Sequence, residues 1–448
     1  MNSANGRRPT VLYVCHNHPS VRPGGAEGYA LELHHAMKAT SGFDSVFLAK
    51  GGPPLSTAGQ PHLGTYIAPV GAGYPDQYFI YTDGYEFDWL LGSMRYNKDL
   101  YTKHFREFLL AVRPDVVHFQ HTLFLGYDML RIVRDTLPDA PIIYTLHEFM
   151  PICHRQGQMV RTVDERPCLE ESPRRCHECF PDVSRQAFFL RKLFVQSQFA
   201  LVDQFIAPSR FLMERYLDWG VPPERIRFEE YGRRPMAGSA EPPRERRDRF
   251  GFFGQLNPFK GIDVLLRAMQ RLSAERADAG APDEPDGGRP LARLRVHGAN
   301  LDLQPGGFQN EIRALLDDTR DAVTFVGRYE PSDIGRLMEA VDWVVIPSVW
   351  WENSPLVIQE AFAHGRPVIA SDIGGMAEKV ADGVDGIHFR AGDPDDLAET
   401  IRTAVSTPGL WDRLRSGIGD VYPMATHVGE MCSLYTALMK RRTMEVAA

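Results

Sequence analysis

Short apolar runs alternate with longer amphipathic stretches along most of the chain. TVLYVC (Thr10–Cys15) is apolar and β-branched, the pattern of a strand buried on both faces. A glycine-bearing loop follows, and from about Ala26 to Ala39 the apolar positions fall at helical spacing. DSVFLA, DVVHFQH, PIIYTLHE and QFIAPS predict further buried strands, and YLDWG predicts a helix ending at Gly220 ahead of prolines. This alternation implies an α/β fold, a parallel sheet with helices on both faces.

The polar, proline-rich segment Arg233–Arg249 reads as a linker, after which the pattern restarts. FGFFGQ, LRVHG, VTFVGR, WVVIPS and RPVIAS predict strands, and GIDVLLRAMQRL predicts a helix. Glu275–Pro290 reads as a surface loop, and about Thr426 to Arg441 as a last helix. The expected division is therefore 1–235, 236–425 and a terminal helix within 426–448. Tyr74–Leu91 is rich in aromatic rings, which either pack on the first domain or offer a platform for a sugar.

Composition narrows the class. At 448 residues the chain exceeds one ordinary core, and its 43% hydrophobic and 24% charged content fits a globular protein. A formal net charge of −8 argues against nucleic acid as a partner. No apolar run approaches a membrane span of roughly 18–20 residues, and the start lacks the features of a signal peptide. A cytoplasmic, reducing location is expected, where structural disulfides are rare.

Ligands of open α/β sheets bind beyond the carboxyl ends of the strands, and several loops fall there. Gly24 and Gly25 directly precede a helix, an arrangement suited either to an anion or to a plain turn. Gln255 and Lys260 lie between a strand and a helix, where a lysine either neutralises phosphate or is simply solvated. Gly374 and Gly375 occupy a similar junction. In SVWWENSPLVIQEAF, Ser354 is placed to cap a helix and Pro355 to occupy its first position. Free N–H groups near Ser354–Val357 would then form an anion pocket. Glu352 and Glu360 flank it, and carboxylates there would meet hydroxyls rather than phosphate. A phosphate core with hydroxylated groups on both sides describes a nucleotide sugar. The opposing reading puts Glu360 on a solvated helix face. His147 ends a strand, where a histidine serves either the fold or a cleft.

Taken together, these motifs resemble the family-4 retaining glycosyltransferases, most densely in FFGQLNPFKGIDVLLRAM and from Val341 to Phe389. The resemblance implies the GT-B fold, two Rossmann-like domains facing across a cleft, with the last helix returning to the first domain. It implies a nucleotide-diphosphate sugar as donor and no catalytic metal. Glu360 would bind the ribose, Glu352 the donor sugar, and Asn353, Ser354, Pro355 and Leu356 the sugar and diphosphate. Lys260 would neutralise the diphosphate, which Gly24 and Gly25 would approach. His147 would hydrogen-bond the donor sugar. Where the family often has an arginine this chain has Gln255, and Arg328 is a candidate to compensate.

Cys153, Cys168, Cys176 and Cys179 fall within 153–180, directly after His147, and suggest a structural zinc site with His154 and His177 as alternative ligands. Free thiols or a conditional disulfide are the alternatives. Cys15 and Cys432 read as ordinary buried residues. RQAFFLRKLFVQSQFALVDQF is either a helix packed on the core or a surface making peripheral membrane contact. The expected acceptor is a saccharide, lipid-linked or small-molecule hydroxyl, in polysaccharide or glycoconjugate synthesis. A sugar-nucleotide epimerase and a non-catalytic nucleotide-sugar-binding protein are the rival readings.

Overall fold

Buried apolar runs become two parallel-rich sheets in a computed structural model that describes residues 7–40, 42–52, 66–82, 87–95, 98–235, 246–278 and 290–447. The chain divides into a first unit, Met1–Gly232 with Tyr422–Ala448, and a second, Arg233–Val421. Much of the segments expected as linker and surface loop, 236–245 and 279–289, lies outside the described residues.

The first unit holds an eight-stranded sheet. Thr10–Cys15 lies inside it, between Asp44–Gly52 and Val116–Phe119, and Val11 through Cys15 are wholly buried. Beyond Val116–Phe119 follow Ile142–Thr145, Gln204–Ala207 and Ile226–Phe228, all parallel. On the other side lie Gln77–Tyr81 and an antiparallel edge, Tyr66–Pro69. The chain thus builds outward in both directions from Thr10–Cys15. That change of direction opens a crevice between its end and that of Val116–Phe119.

The aromatic stretch supplies Gln77–Tyr81, the strand next to this edge, and the first strand of a two-stranded ribbon, Phe87–Asp88 with Ser93–Met94. Its rings pack on the unit: Tyr78 meets Phe108, while Phe87, Trp89 and Phe124 pack edge to face. The helix Arg185–Phe199 buries Phe188, Arg191, Val195 and Phe199 and leaves Phe189, Leu190 and Leu193 about half exposed. Arg191 donates to the carbonyls of Met150, Pro151 and Ile152, which ties the start of the cysteine segment to this helix. The last helix, Met424–Ala447, belongs to this unit; its Tyr435 hydroxyl hydrogen-bonds His118 Nδ1 at 2.7 Å and the Tyr13 hydroxyl at 3.2 Å.

The second unit holds a six-stranded, all-parallel sheet in the order Val323–Gly327, Arg293–Ala299, Arg249–Gln255, Trp343–Ile346, Val368–Ser371, Gly386–Phe389. One face packs on Leu265, Met269, Ile312, Leu397 and Ile401, the other on Met338, Ile358 and Met376. The change of direction falls between Arg249–Gln255 and Trp343–Ile346, so Lys260 and Glu352 follow the two strands that border the crevice. Among the described residues no helix is long and apolar enough to cross a membrane.

Candidate functional site

Lys260 is held by the local backbone. Asn257 Oδ1 accepts the N–H groups of Phe259 and Lys260, each at 3.1 Å, closing the turn Pro258–Lys260. Gly261 follows in the left-handed region at φ 64°, and a Cβ there would lie 1.9 Å from the Pro347 carbonyl. Only glycine fits that contact, and it brings the lysine turn against the end of the strand Trp343–Ile346.

Lys260 Nζ reaches Glu352 Oε1 at 2.5 Å. The same oxygen accepts from Ser348 Oγ at 2.8 Å and Trp350 Nε1 at 3.0 Å. Glu352 is nearly buried, so three donors and a positive charge compensate its loss of water. The lysine expected at phosphate and the glutamate expected at sugar are therefore partners of each other.

Glu360 lies on the helix Leu356–Ala363, and its Oε1 receives Arg233 Nη2 at 2.8 Å. Its side chain is 18% exposed, which removes the reading of a solvated face. The helix start differs from expectation. Pro355 has an extended ψ of 115° and is itself the flanking residue, so the helix begins at Leu356 and no side chain caps it. Ser354 is therefore not the cap. Asn353 and Ser354, both buried, lie in the loop just before it. The first-turn N–H groups still face the loop, as at any helix start. Gln255 and Arg328 are both exposed.

Gly374 and Gly375 serve packing. A Cβ on Gly375 would lie 1.6 Å from the Asn353 carbonyl oxygen, and Gly375 N donates to the Glu352 carbonyl at 2.7 Å. The pair sets the backbone of the Glu352–Asn353 loop. Gly375→Ala should cost about 1–3 kcal/mol by overpacking. For a unit of this size that lowers the melting temperature by roughly 3–9 °C, readable by calorimetry.

In the first unit His147 lies two residues beyond the strand Ile142–Thr145. Its Nε2 is 3.0 Å from Gln120 Oε1 and its Nδ1 2.6 Å from the Tyr231 hydroxyl. Both ring nitrogens are thus engaged by neutral partners. Burial, and then His121, His16 and His118 nearby, hold its pKa well below the ordinary value of 6.5. His147 is a neutral hydrogen-bonding group.

Sequence reasoning missed what surrounds it. His16 Nε2 pairs with Glu27 Oε1 and His121 Nε2 with Glu148 Oε1, both at 3.0 Å, and the two rings lie 4.4 Å apart. These pairs follow the strands that border the crevice. Glu27 also explains Gly24, where a Cβ would lie 2.4 Å from its Oε2. The anion at the start of the helix Gly25–Ala39 is thus the chain's own carboxylate. A diphosphate approaching Gly24 and Gly25 would meet it.

The four clustered cysteines line one cavity of about 30 Å³ with His154, Arg161 and Arg175. The expected zinc site is not shown by this arrangement. Among the described residues, no group of three or more His, Cys, Asp or Glu is placed to hold a metal ion. Burial raises the pKa of Cys153 and Cys168 and pushes that of Cys176 up to about 12. Cys168 Sγ is directed at the Glu170 carbonyl at 3.1 Å, and His177 Nδ1 at the Val183 carbonyl at 2.8 Å. All six cysteines are free.

Residues 247–407 match the model described as glycosyl transferases group 1, and residues 23–228 match that of glycosyltransferase family 4. D-inositol 3-phosphate glycosyltransferases are similar over part of the chain. That of Stackebrandtia nassauensis is 33% identical over 176 residues, 38% of this chain and 36% of the relative. That of Nocardia farcinica is 34% identical over 165 residues, 37% of this chain and 33% of the relative. The matched segment spans about a third of the length of these relatives. Among solved structures, sucrose-phosphate synthase from Thermosynechococcus elongatus superposes with a TM-score of 0.67 at 17% identity, covering 97% of this chain and 100% of that one. Anabaena HepE, in complex with UDP and glucose, gives 0.60 at 16% identity, covering 96% and 100%. Two glycosyltransferase models spanning both units, and this fold, place the chain in glycosyltransferase family 4, of GT-B architecture.

Proposed function

We propose that the chain transfers a glycosyl group, with retention, from a nucleoside diphosphate sugar to a hydroxyl acceptor. The observation that carries this reading is the meeting of Lys260 and Glu352 in the crevice of the second sheet, with Glu352 in the loop just before the helix that carries Glu360. A lone lysine–glutamate pair is an ordinary structural feature. One set at a change of strand direction, beside a helix start and a second carboxylate, matches a diphosphate with a hydroxylated group on each side. The UDP and glucose held by the HepE relative support the same donor class.

On this reading the diphosphate takes Lys260 from Glu352, and Glu352 turns its acceptor oxygens to the sugar hydroxyls. Glu360 holds the ribose diol. The helix Leu356–Ala363 and Lys260 stabilise charge as it builds on the departing phosphate. Neutral His147 hydrogen-bonds the transferred sugar. A leaving-phosphate oxygen takes the acceptor proton, so no side chain is needed as base. The acceptor is a hydroxyl of a saccharide, a lipid-linked sugar or a small polyol, the last suggested by the inositol phosphate in the relatives' names.

The test is to incubate the chain with UDP-, GDP- and ADP-glucose and with inositol phosphate, saccharide and lipid-linked acceptors. Acceptor-dependent release of nucleoside diphosphate, with an α-linked product from an α-linked donor, is the expected result. An epimerised nucleotide sugar formed without acceptor would establish the isomerase reading instead.

A further inference from the structure

Arg233 stands at the head of a segment whose composition reads as solvated linker, yet its side chain is only 10% exposed. Its Nη2 donates to Glu360 Oε1 at 2.8 Å. The adjacent Arg234 is exposed. The other basic groups considered for this site lie elsewhere: Lys260 on Glu352, and Arg328 in solvent. A guanidinium at this degree of burial fixes the carboxylate it touches, because the planar donor fork leaves few rotamers open to the pair.

We propose that Arg233 is a positioning residue of the donor site, keeping Glu360 ionised and turned toward the ribose diol of a nucleoside diphosphate. The inference rests on the reading of Glu360 given under Proposed function. A carboxylate has about four acceptor positions, so one filled by Arg233 leaves room for a diol on the same group. Without Arg233, Glu360 keeps a mostly buried charge and loses a cationic donor. It then rotates to other donors and stops distinguishing a ribose from its deoxy counterpart. The opposite arrangement, in which the nucleotide must expel Arg233 to reach Glu360, predicts tighter binding once Arg233 is removed.

Titration calorimetry of the full chain with UDP, GDP, ADP and CDP, each beside its 2′-deoxy form, separates the two. The wild type is expected to prefer the ribonucleotide by roughly 10–100-fold, the range of a hydrogen bond to a charged group. Arg233→Met should weaken the ribonucleotide by about tenfold and bring the ratio to within about threefold, Arg233→Lys should recover part of both, and Arg234→Met should change neither. Unchanged affinity and ratio in Arg233→Met, or tighter binding, overturns the proposal while leaving the donor reading intact. A wild type that binds none of the diphosphates overturns the donor reading and this proposal with it. If Arg233→Met melts below the assay temperature, Arg233→Lys against Glu360→Gln supplies the same ratio.

Discussion

Replacing Lys260 with alanine should lower kcat/KM for transfer by about 10²–10³-fold, the cost of removing one preorganised donor from developing charge. Lys260 already has a partner. Its ammonium lies on Glu352, so in the resting protein it neutralises a nearly buried carboxylate. A diphosphate carries more negative charge than that carboxylate, and its terminal oxygens gain charge as the glycosidic bond breaks. On the proposed mechanism the lysine therefore stabilises the transition state more than the bound donor, and the loss should fall mainly in kcat. Lys260→Arg should recover only part, since a planar fork does not replace a point charge in a turn closed by Asn257 and Gly261. Glu352 would be left with Ser348 and Trp350 as donors, so Lys260→Ala should also lose some stability. Steady-state kinetics beside a melting curve separates the two effects. Full activity in a folded Lys260→Ala chain would remove the lysine from the mechanism.

Much of this arrangement is legible in the sequence because it is local. Buried parallel strands are continuous apolar runs, so Thr10–Cys15 and Trp343–Ile346 stand out without any knowledge of their neighbours. The glycine of GQLNPFKG and the proline of ENSPLV announce a turn and a helix start. The tertiary half of the site is not legible this way. Arg233 looks like linker because its neighbours are prolines and arginines, and only the folded chain sets it on Glu360, 127 residues away. Glu27 looks like an ordinary first-turn acid until His16 is found on it. Gly375 looks like a ligand loop, whereas its missing Cβ makes room for the Asn353 carbonyl. The cysteine spacing suggests a metal, and the four thiols line one cavity, but spacing alone does not set three ligands on one point.

Acidification from pH 8 to 5.5 should destabilise the protein by several kcal/mol. Burial lowers the pKa of His34 and His118 to about 3 and that of His297 to about 4, and holds His147 well below 6.5. Charged neighbours add to this: Lys38 and the His35 ring face His34, His427 faces His118, and Arg295 and Arg336 face His297. In the unfolded chain each would titrate near 6.5. Between the folded values and 6.5 the unfolded state binds more protons, so stability is complete above about pH 7 and drains away as pH falls toward 4. At pH 5.5 a histidine that stays neutral in the fold costs about 1.4 kcal/mol, and several together approach a typical stability of 5–15 kcal/mol. Asp128, Asp263, Asp342 and Asp385, whose pKa values burial raises, act in the opposite direction, but nearer the carboxylate range. His297 isolates the effect. It is fully buried, stacks on Phe253 at 4.7 Å, and neither ring nitrogen has a hydrogen bond among the described residues. His297→Leu should therefore match the wild type within about 1 kcal/mol at pH 8, a swap of similar volume that strands no partner. At pH 5.5 the variant should gain about 1 kcal/mol on the wild type, because it no longer carries a base that must stay uncharged. Denaturant melts at the two pH values decide it: equal losses on acidification in both chains would show that His297 is not held neutral.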